Sequence, residues 1–139
     1  MKTRIGWSAL GAIAALTVAG SLLSACGGNA DASRTLSLSA KDSGKTVQVH
    51  PGDEIVVTLD SNASTGFRWV LTRAPDAQVV ELLGSDYVTP ESTLLGAGGQ
   101  EVWRFRASGE GTSTLQLTYQ RASGETAGEP FEITVDVAP

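Results

Sequence analysis

The sequence is poor in the residues that most chemistry requires. It has one cysteine, Cys26, and one histidine, His50, in 139 residues. A single thiol excludes a disulfide framework and a cysteine-based metal cluster within one chain. His50 stands beside Pro51 at a strand end, and no serine or carboxylate is spaced to converge on it as a triad would demand. Asp53, Glu54 and Asp60 surround one ordinary strand and do not read as a pair for acid–base work. The chain is therefore not read as an enzyme, and neither a metal nor a cofactor is expected. Cations are scarce too: ten Lys and Arg face fifteen Asp and Glu, a formal charge of −5. That balance disfavours nucleic acid, and it disfavours electrostatic adsorption to anionic lipid.

One long apolar run is present, and it lies at the N-terminus. Met1-Lys2-Thr3-Arg4 is a positive n-region, and residues 5–23 carry no charge. Leu23-Ser24-Ala25-Cys26 comes next, and then the polar, Gly-rich stretch Gly27-Gly28-Asn29-Ala30-Asp31. This arrangement resembles a bacterial lipoprotein signal peptide whose lipobox ends at Cys26. The run is nearly long enough to span a bilayer as an uncleaved helix, but its Gly and Ala content and its Leu-Ser-Ala-Cys ending argue for processing. The expected organisation is a signal peptide over 1–25, a lipidated Cys26 with a flexible tether over 26–34, and one domain over 35–139. Removing the leader also removes Lys2 and Arg4, taking the formal charge from −5 to −7. Attachment by acyl chains such as palmitate, at about 0.8 kcal/mol per buried CH₂, fits that acidity better than attachment by charge. The domain would then be anchored to the cell membrane and face the extracytoplasmic side, periplasm or cell exterior.

After Cys26 no stretch has helical period, and short alternating runs separated by turn residues take over. Leu36 and Leu38 alternate with serines, and Thr46-Val47-Gln48-Val49 alternates again after the Asp42-Ser43-Gly44 turn. Ile55, Val57 and Leu59 mark one face of a third strand, and Phe67, Trp69 and Leu71 mark a fourth. Val79-Val80-Glu81-Leu82-Leu83 predicts a strand ending at Gly84, with an irregular segment over 85–100 behind it. Trp103, Phe105 and Ala107 alternate with Arg104 and Arg106. Leu115, Leu117 and Tyr119 oppose Thr114, Gln116, Thr118 and Gln120, and Phe131, Ile133, Val135 and Val137 close the series. Seven or eight short strands at this spacing predict an all-β, two-sheet sandwich, with Trp69 and Trp103 filling the space between sheets.

Between the third and fourth strands lies Asn62-Ala63-Ser64-Thr65-Gly66-Phe67-Arg68-Trp69. Asn62 and Gly66 tolerate positive φ, and Ala63, Ser64 and Thr65 are small enough to approach another surface closely. In isolation such a loop is a plain turn. Three stretches downstream give it meaning: Gly96-Ala97-Gly98-Gly99, then Trp103 and Phe105, then a Gly-x-x-x-Leu-x-Leu-x-Tyr-x-Arg run ending at Arg121. In this order the motifs resemble the chagasin family, inhibitors of papain-like cysteine proteases, and the resemblance covers nearly all of 35–139.

The resemblance implies an immunoglobulin-like sandwich presenting three loops at one end. The central loop, Asn62, Ala63, Ser64, Thr65 and Gly66, would enter the protease cleft, with Thr65 and Gly66 nearest the catalytic cysteine. Gly96, Gly98 and Gly99 would supply backbone contacts at one rim, and Arg121 a polar contact at the other. Such a binder acts as a monomer. It occupies the cleft in a conformation whose ordering cost was met on folding. Two positions depart from the family pattern. Ala63 stands where proline is usual, which removes a fixed φ. Ala122-Ser123 come after Arg121 where proline and tryptophan are usual, which removes an aromatic anchor of the kind that dominates interfaces. The departures imply a weaker inhibitor or one tuned to another protease. The alternative is a membrane-anchored immunoglobulin-like binding module without protease-inhibitory activity. Asn62-Ala63-Ser64 also fits a glycosylation sequon, which beside a bacterial lipobox is read as accidental.

Overall fold

A computed structural model describes residues 32–139. The expected signal peptide, the lipidation at Cys26 and most of the expected tether lie outside the described residues. Eight strands run in chain order: β1 (Thr35–Ser39), β2 (Thr46–Val49), β3 (Glu54–Ser61), β4 (Phe67–Arg73), β5 (Val80–Val88), β6 (Gly99–Ala107), β7 (Gly111–Arg121) and β8 (Phe131–Val137). Two single-turn 3-10 segments, Ala40–Asp42 and Ala63–Thr65, are the helical elements among the described residues.

The strands form two four-stranded sheets, ordered β1-β3-β6-β5 and β2-β8-β7-β4. Pairing is parallel between β1 and β3 and between β2 and β8, and antiparallel elsewhere. The period-2 alternation sends one row of each inner strand into the space between the sheets. Ile55, Val57 and Leu59 of β3 and Trp103, Phe105 and Ala107 of β6 meet Leu115 and Leu117 of β7 and Ile133, Val135 and Val137 of β8. Ile55, Leu59, Phe105, Leu115, Leu117 and Ile133 are fully buried, and each contributes about 1.5–3 kcal/mol by leaving water. Trp103 belongs to this core, while Trp69 packs against it half-buried. The result is the immunoglobulin-like sandwich expected, with eight strands.

One boundary differs from the sequence expectation. β5 does not stop at Gly84 but continues to Val88, and the irregular segment shrinks to 89–98. The register against β6 slips between Leu82 and Gly84, a bulge that breaks the alternation. Beyond it, Ser85 to Val88 are exposed on an edge strand, so no apolar row reveals them.

The end of the sandwich at which β3 begins is pinned by Asp53. Its carboxylate accepts hydrogen bonds from the backbone N–H of Arg34 and of His50, both at 2.9 Å. These bonds, that from His50 first, hold the Asp53 pKa below its ordinary value. Arg34 is thus bound to the sheet, and its carbonyl accepts from Glu54 N–H as β1 begins.

Candidate functional site

β3 and β4 lie in different sheets, so the five residues between them must cross from one layer to the other at an end of the sandwich. The register brings two more connections to the same end. Ser61 pairs with Gly99 and Val88 with Gln100, which puts the 89–98 loop beside the crossing. Phe67 pairs with Arg121, which puts the 122–130 loop on its other side. His50 lies a full strand away, since β3 runs from Glu54 near it to Ser61 at the loops.

The central loop is held by its own hydrogen bonds. Asn62 has extended backbone and caps the turn Ala63–Thr65, its Oδ1 accepting from Ser64 N–H at 3.1 Å and from the Ser64 hydroxyl at 2.6 Å. The Thr65 hydroxyl donates to the Asn62 carbonyl at 2.7 Å. Gly66 closes the turn at φ 78°, a left-handed conformation that glycine adopts without strain, and its N–H donates to the Ala63 carbonyl. Ala63 to Gly66 are exposed at the tip. Ala63 lacks the fixed φ of proline, and the ordering falls instead to Asn62 and Thr65.

Asn62 also ties the loop to its neighbours. Its Nδ2 donates to the Gly96 carbonyl at 3.1 Å, and its backbone N–H donates to the Tyr119 hydroxyl at 2.9 Å. The Tyr119 ring lies between Phe67 and Trp69, with centroids 5.4 and 5.2 Å away. From the other side, Arg121 Nε donates to the Thr65 carbonyl at 3.3 Å, and its guanidinium carbon stands 4.4 Å above the Phe67 ring. Arg121 also pairs with Glu125 at 2.9 Å, and the Glu125 carbonyl accepts from Arg121 N–H. One polar chain therefore links Gly96, Asn62, Thr65, Arg121 and Glu125 across three loops.

The glycines differ in what they do. Gly96 has φ 80° and offers its carbonyl to Asn62, and Gly98 passes close to the Ser61 carbonyl and Asn62 Cβ. Gly99 is buried at the start of β6, where a Cβ would strike the Val88 carbonyl and lie 2.6 Å from the Tyr87 hydroxyl. It shapes the loop from beneath and offers no outer surface.

Four contributors were not among the site residues expected: Tyr119, Glu101, Leu94 and Leu95. Tyr119 was legible as an inward residue but not as the acceptor for Asn62. Glu101, on β6, is buried beneath the loop. Leu94 and Leu95 sit fully out in solvent at 77% and 104% exposure, immediately before the Gly-rich cluster. Two leucines in a stretch without alternation were the available signal for them. Among the described residues no group of His, Cys, Asp and Glu is arranged to hold a metal. The tip presents small side chains whose hydroxyls, with the N–H groups of Ser64, Thr65 and Gly66, are engaged within the loop, and an exposed apolar pair flanks it.

Comparison with known proteins gives a consistent result. Residues 48–137 match the family model described as chagasin family peptidase inhibitor I42. Chagasin of Trypanosoma cruzi is 35% identical over 81 residues, covering 56% of this chain and 74% of that protein. Among solved structures, the cysteine protease inhibitor EhICP2 of Entamoeba histolytica superposes with a TM-score of 0.67 at 19% identity, covering 76% of this chain and 96% of that one. PbICP-C, solved in complex with falcipain-2, superposes with a TM-score of 0.56 at 18% identity over 76% of this chain and 99% of that one. At such identities the two superpositions establish the shared fold.

Proposed function

The chain belongs to the chagasin family of peptidase inhibitors, and we propose accordingly that it is a reversible, cleft-occluding inhibitor of papain-like cysteine proteases. The central loop enters the cleft with Thr65 and Gly66 foremost, and the loops bearing Gly96 and Arg121 straddle its rims. The observation that carries this reading is the chain of contacts from Gly96 through Asn62 and Thr65 to Arg121, which orders three exposed loops before any partner arrives. A pre-ordered loop loses little entropy on binding, and a bent turn closed by its own hydrogen bonds makes a poor substrate. Leu94 and Leu95 provide the apolar contact at the Gly-rich rim.

Anchoring to a membrane through lipid on Cys26, with the domain on the extracytoplasmic side, is part of the same proposal. The geometry suits it. The described chain enters the fold at Arg34 beside Glu54, so the entry point and the loops lie at opposite ends of β3, about 25 Å apart for eight residues. A domain tethered there presents its loops away from the bilayer. Incorporation of labelled palmitate, abolished by Cys26→Ser, tests the anchor.

Inhibition of papain by the domain from Ser33 onward, which contains both sheets entire, tests the function. Reversible inhibition abolished by Thr65→Trp, which adds bulk at the tip and removes the Thr65 hydroxyl bond to Asn62 while leaving both sheets intact, is the expected result. A folded domain that inhibits none of several papain-like proteases would instead favour a membrane-anchored binding module. The reading that would then gain ground rests on Ala122-Ser123 standing where the third loop would carry an aromatic anchor.

A further inference from the structure

Glu101 occupies the third position of β6, in the same inward row as Trp103 and Phe105. Only 9% of it is exposed. An apolar side chain would serve the core better at such a position, because a buried carboxylate is costly unless its oxygens are engaged. Here one oxygen is engaged twice. Glu101 Oε1 accepts from the Ser61 hydroxyl at 2.7 Å and from the Trp69 backbone N–H at 3.0 Å. Ser61 is the last residue of β3, and Trp69 is the third residue of β4. They are the two stems of the central loop. β4 is also the edge of its sheet, so the Trp69 N–H has no strand to pair with on the side where Glu101 stands. The contact crosses from one sheet to the other directly beneath Asn62 to Gly66.

We propose that Glu101 is a positioning residue for the inhibitory loop: its carboxylate fixes the separation of the two stems and thereby the shape of the tip they carry. The consequence for inhibition rests on the reading of that tip as the element that enters the cleft. The consequence for loop order does not. Without the carboxylate, the Ser61 hydroxyl and the Trp69 N–H lose their acceptor together, and β4 is free to shift against β3, to which no backbone ladder joins it.

The test compares Glu101→Gln with Glu101→Leu in the full chain, by hydrogen–deuterium exchange and by papain inhibition. Glutamine keeps an acceptor oxygen and should leave both measurements within about threefold of the parent. Leucine suits the core but accepts nothing. It should speed exchange at Ser64, Thr65 and Gly66 by roughly tenfold or more while Phe105 and Leu117 stay protected, and weaken inhibition by a similar factor. Parent-like loop exchange in a folded Glu101→Leu protein would overturn the proposal. So would loosening of loop and core by equal factors, which marks a purely structural residue. If the leucine variant does not fold, Ser61→Ala removes one of the two donors, and selective loosening of the loop is again the expected result, its absence the refuting one. Should the parent chain inhibit no papain-like protease, the functional reading fails, and the exchange comparison still decides the role of Glu101.

Discussion

Asn62 is the residue whose replacement most directly tests whether the loops act as a pre-ordered unit. Truncation to alanine removes the cap on Ser64 and the bond from Nδ2 to the Gly96 carbonyl, and leaves the backbone bond to Tyr119 in place. Loss of such a cap costs about 1 kcal/mol, and loss of one partly exposed hydrogen bond costs about 0.5–1.5 kcal/mol. Together they amount to about 2 kcal/mol of order that binding must then restore, or roughly 30-fold in the inhibition constant. Asn62→Asp separates the two effects. It keeps the capping oxygen and sets a second oxygen against the Gly96 carbonyl, so about 1 kcal/mol and roughly fivefold weaker inhibition are expected. The assay is steady-state inhibition of papain with a fluorogenic peptide, alongside a thermal melt. The same losses belong to the folded state, so the melting temperature should fall by several degrees in the alanine variant and by less in the aspartate one. An alanine variant that inhibits like the parent, or an aspartate variant weaker than the alanine one, would refute the reasoning.

Other consequences of the structure are equally open to measurement. Gly99→Ala drives a methyl group into the Val88 carbonyl and the Tyr87 ring; overpacking of this kind costs about 1–3 kcal/mol, seen as a fall of several degrees in the melting temperature with the loop chemistry untouched. Asp53 binds its proton less tightly in the folded chain than in the unfolded one, so its contribution is complete above about pH 4 and disappears as the pH falls through its depressed folded value. Asp53→Asn should therefore be less stable than the parent at pH 7 and lose less of its stability between pH 4 and pH 2, as read from urea melts. Leu94→Ser with Leu95→Ser should leave the melting temperature unchanged and weaken protease binding about tenfold or more, since both side chains lie in solvent until a partner covers them.

Much of the fold was legible because burial imposes a period of two. Ile55-Val57-Leu59, Leu115-Leu117 and Phe131-Ile133-Val135-Val137 each announce an inner strand, and those strands are where the core lies. β5 was half-hidden because its exposed residues carry no pattern and its bulge resets the phase at Gly84. The placement of the central loop was legible from small residues between two alternating runs. The bonds that join it to its neighbours were not. Glu101 is recognisable only once the row of Trp103 and Phe105 is extended back two residues, where a charge stands among apolar side chains. The bond from Asn62 to Gly96 depends on the Ser61–Gly99 register, which no local pattern encodes.

The third loop shows how a missing anchor alters the division of labour. Without an aromatic residue after it, Arg121 spends its donors inside the fold, on the Thr65 carbonyl and Glu125, with its guanidinium over Phe67. A side chain so engaged contributes order to the central loop more than reach toward a partner. Its half-exposed charge is already balanced by Glu125 and adds little long-range attraction. The most exposed apolar groups near the tip are instead Leu94 and Leu95, on the opposite flank across Asn62 and Gly96, with Tyr87 and Val88 at the end of β5 exposed on the same side. On the proposed reading, apolar contact with the protease therefore shifts to the Gly-rich rim, and the third loop acts as a brace. A tryptophan introduced at Ser123 should then tighten inhibition without changing loop order. If it tightens nothing while Leu94→Ser weakens binding, the brace is the whole of that loop's contribution.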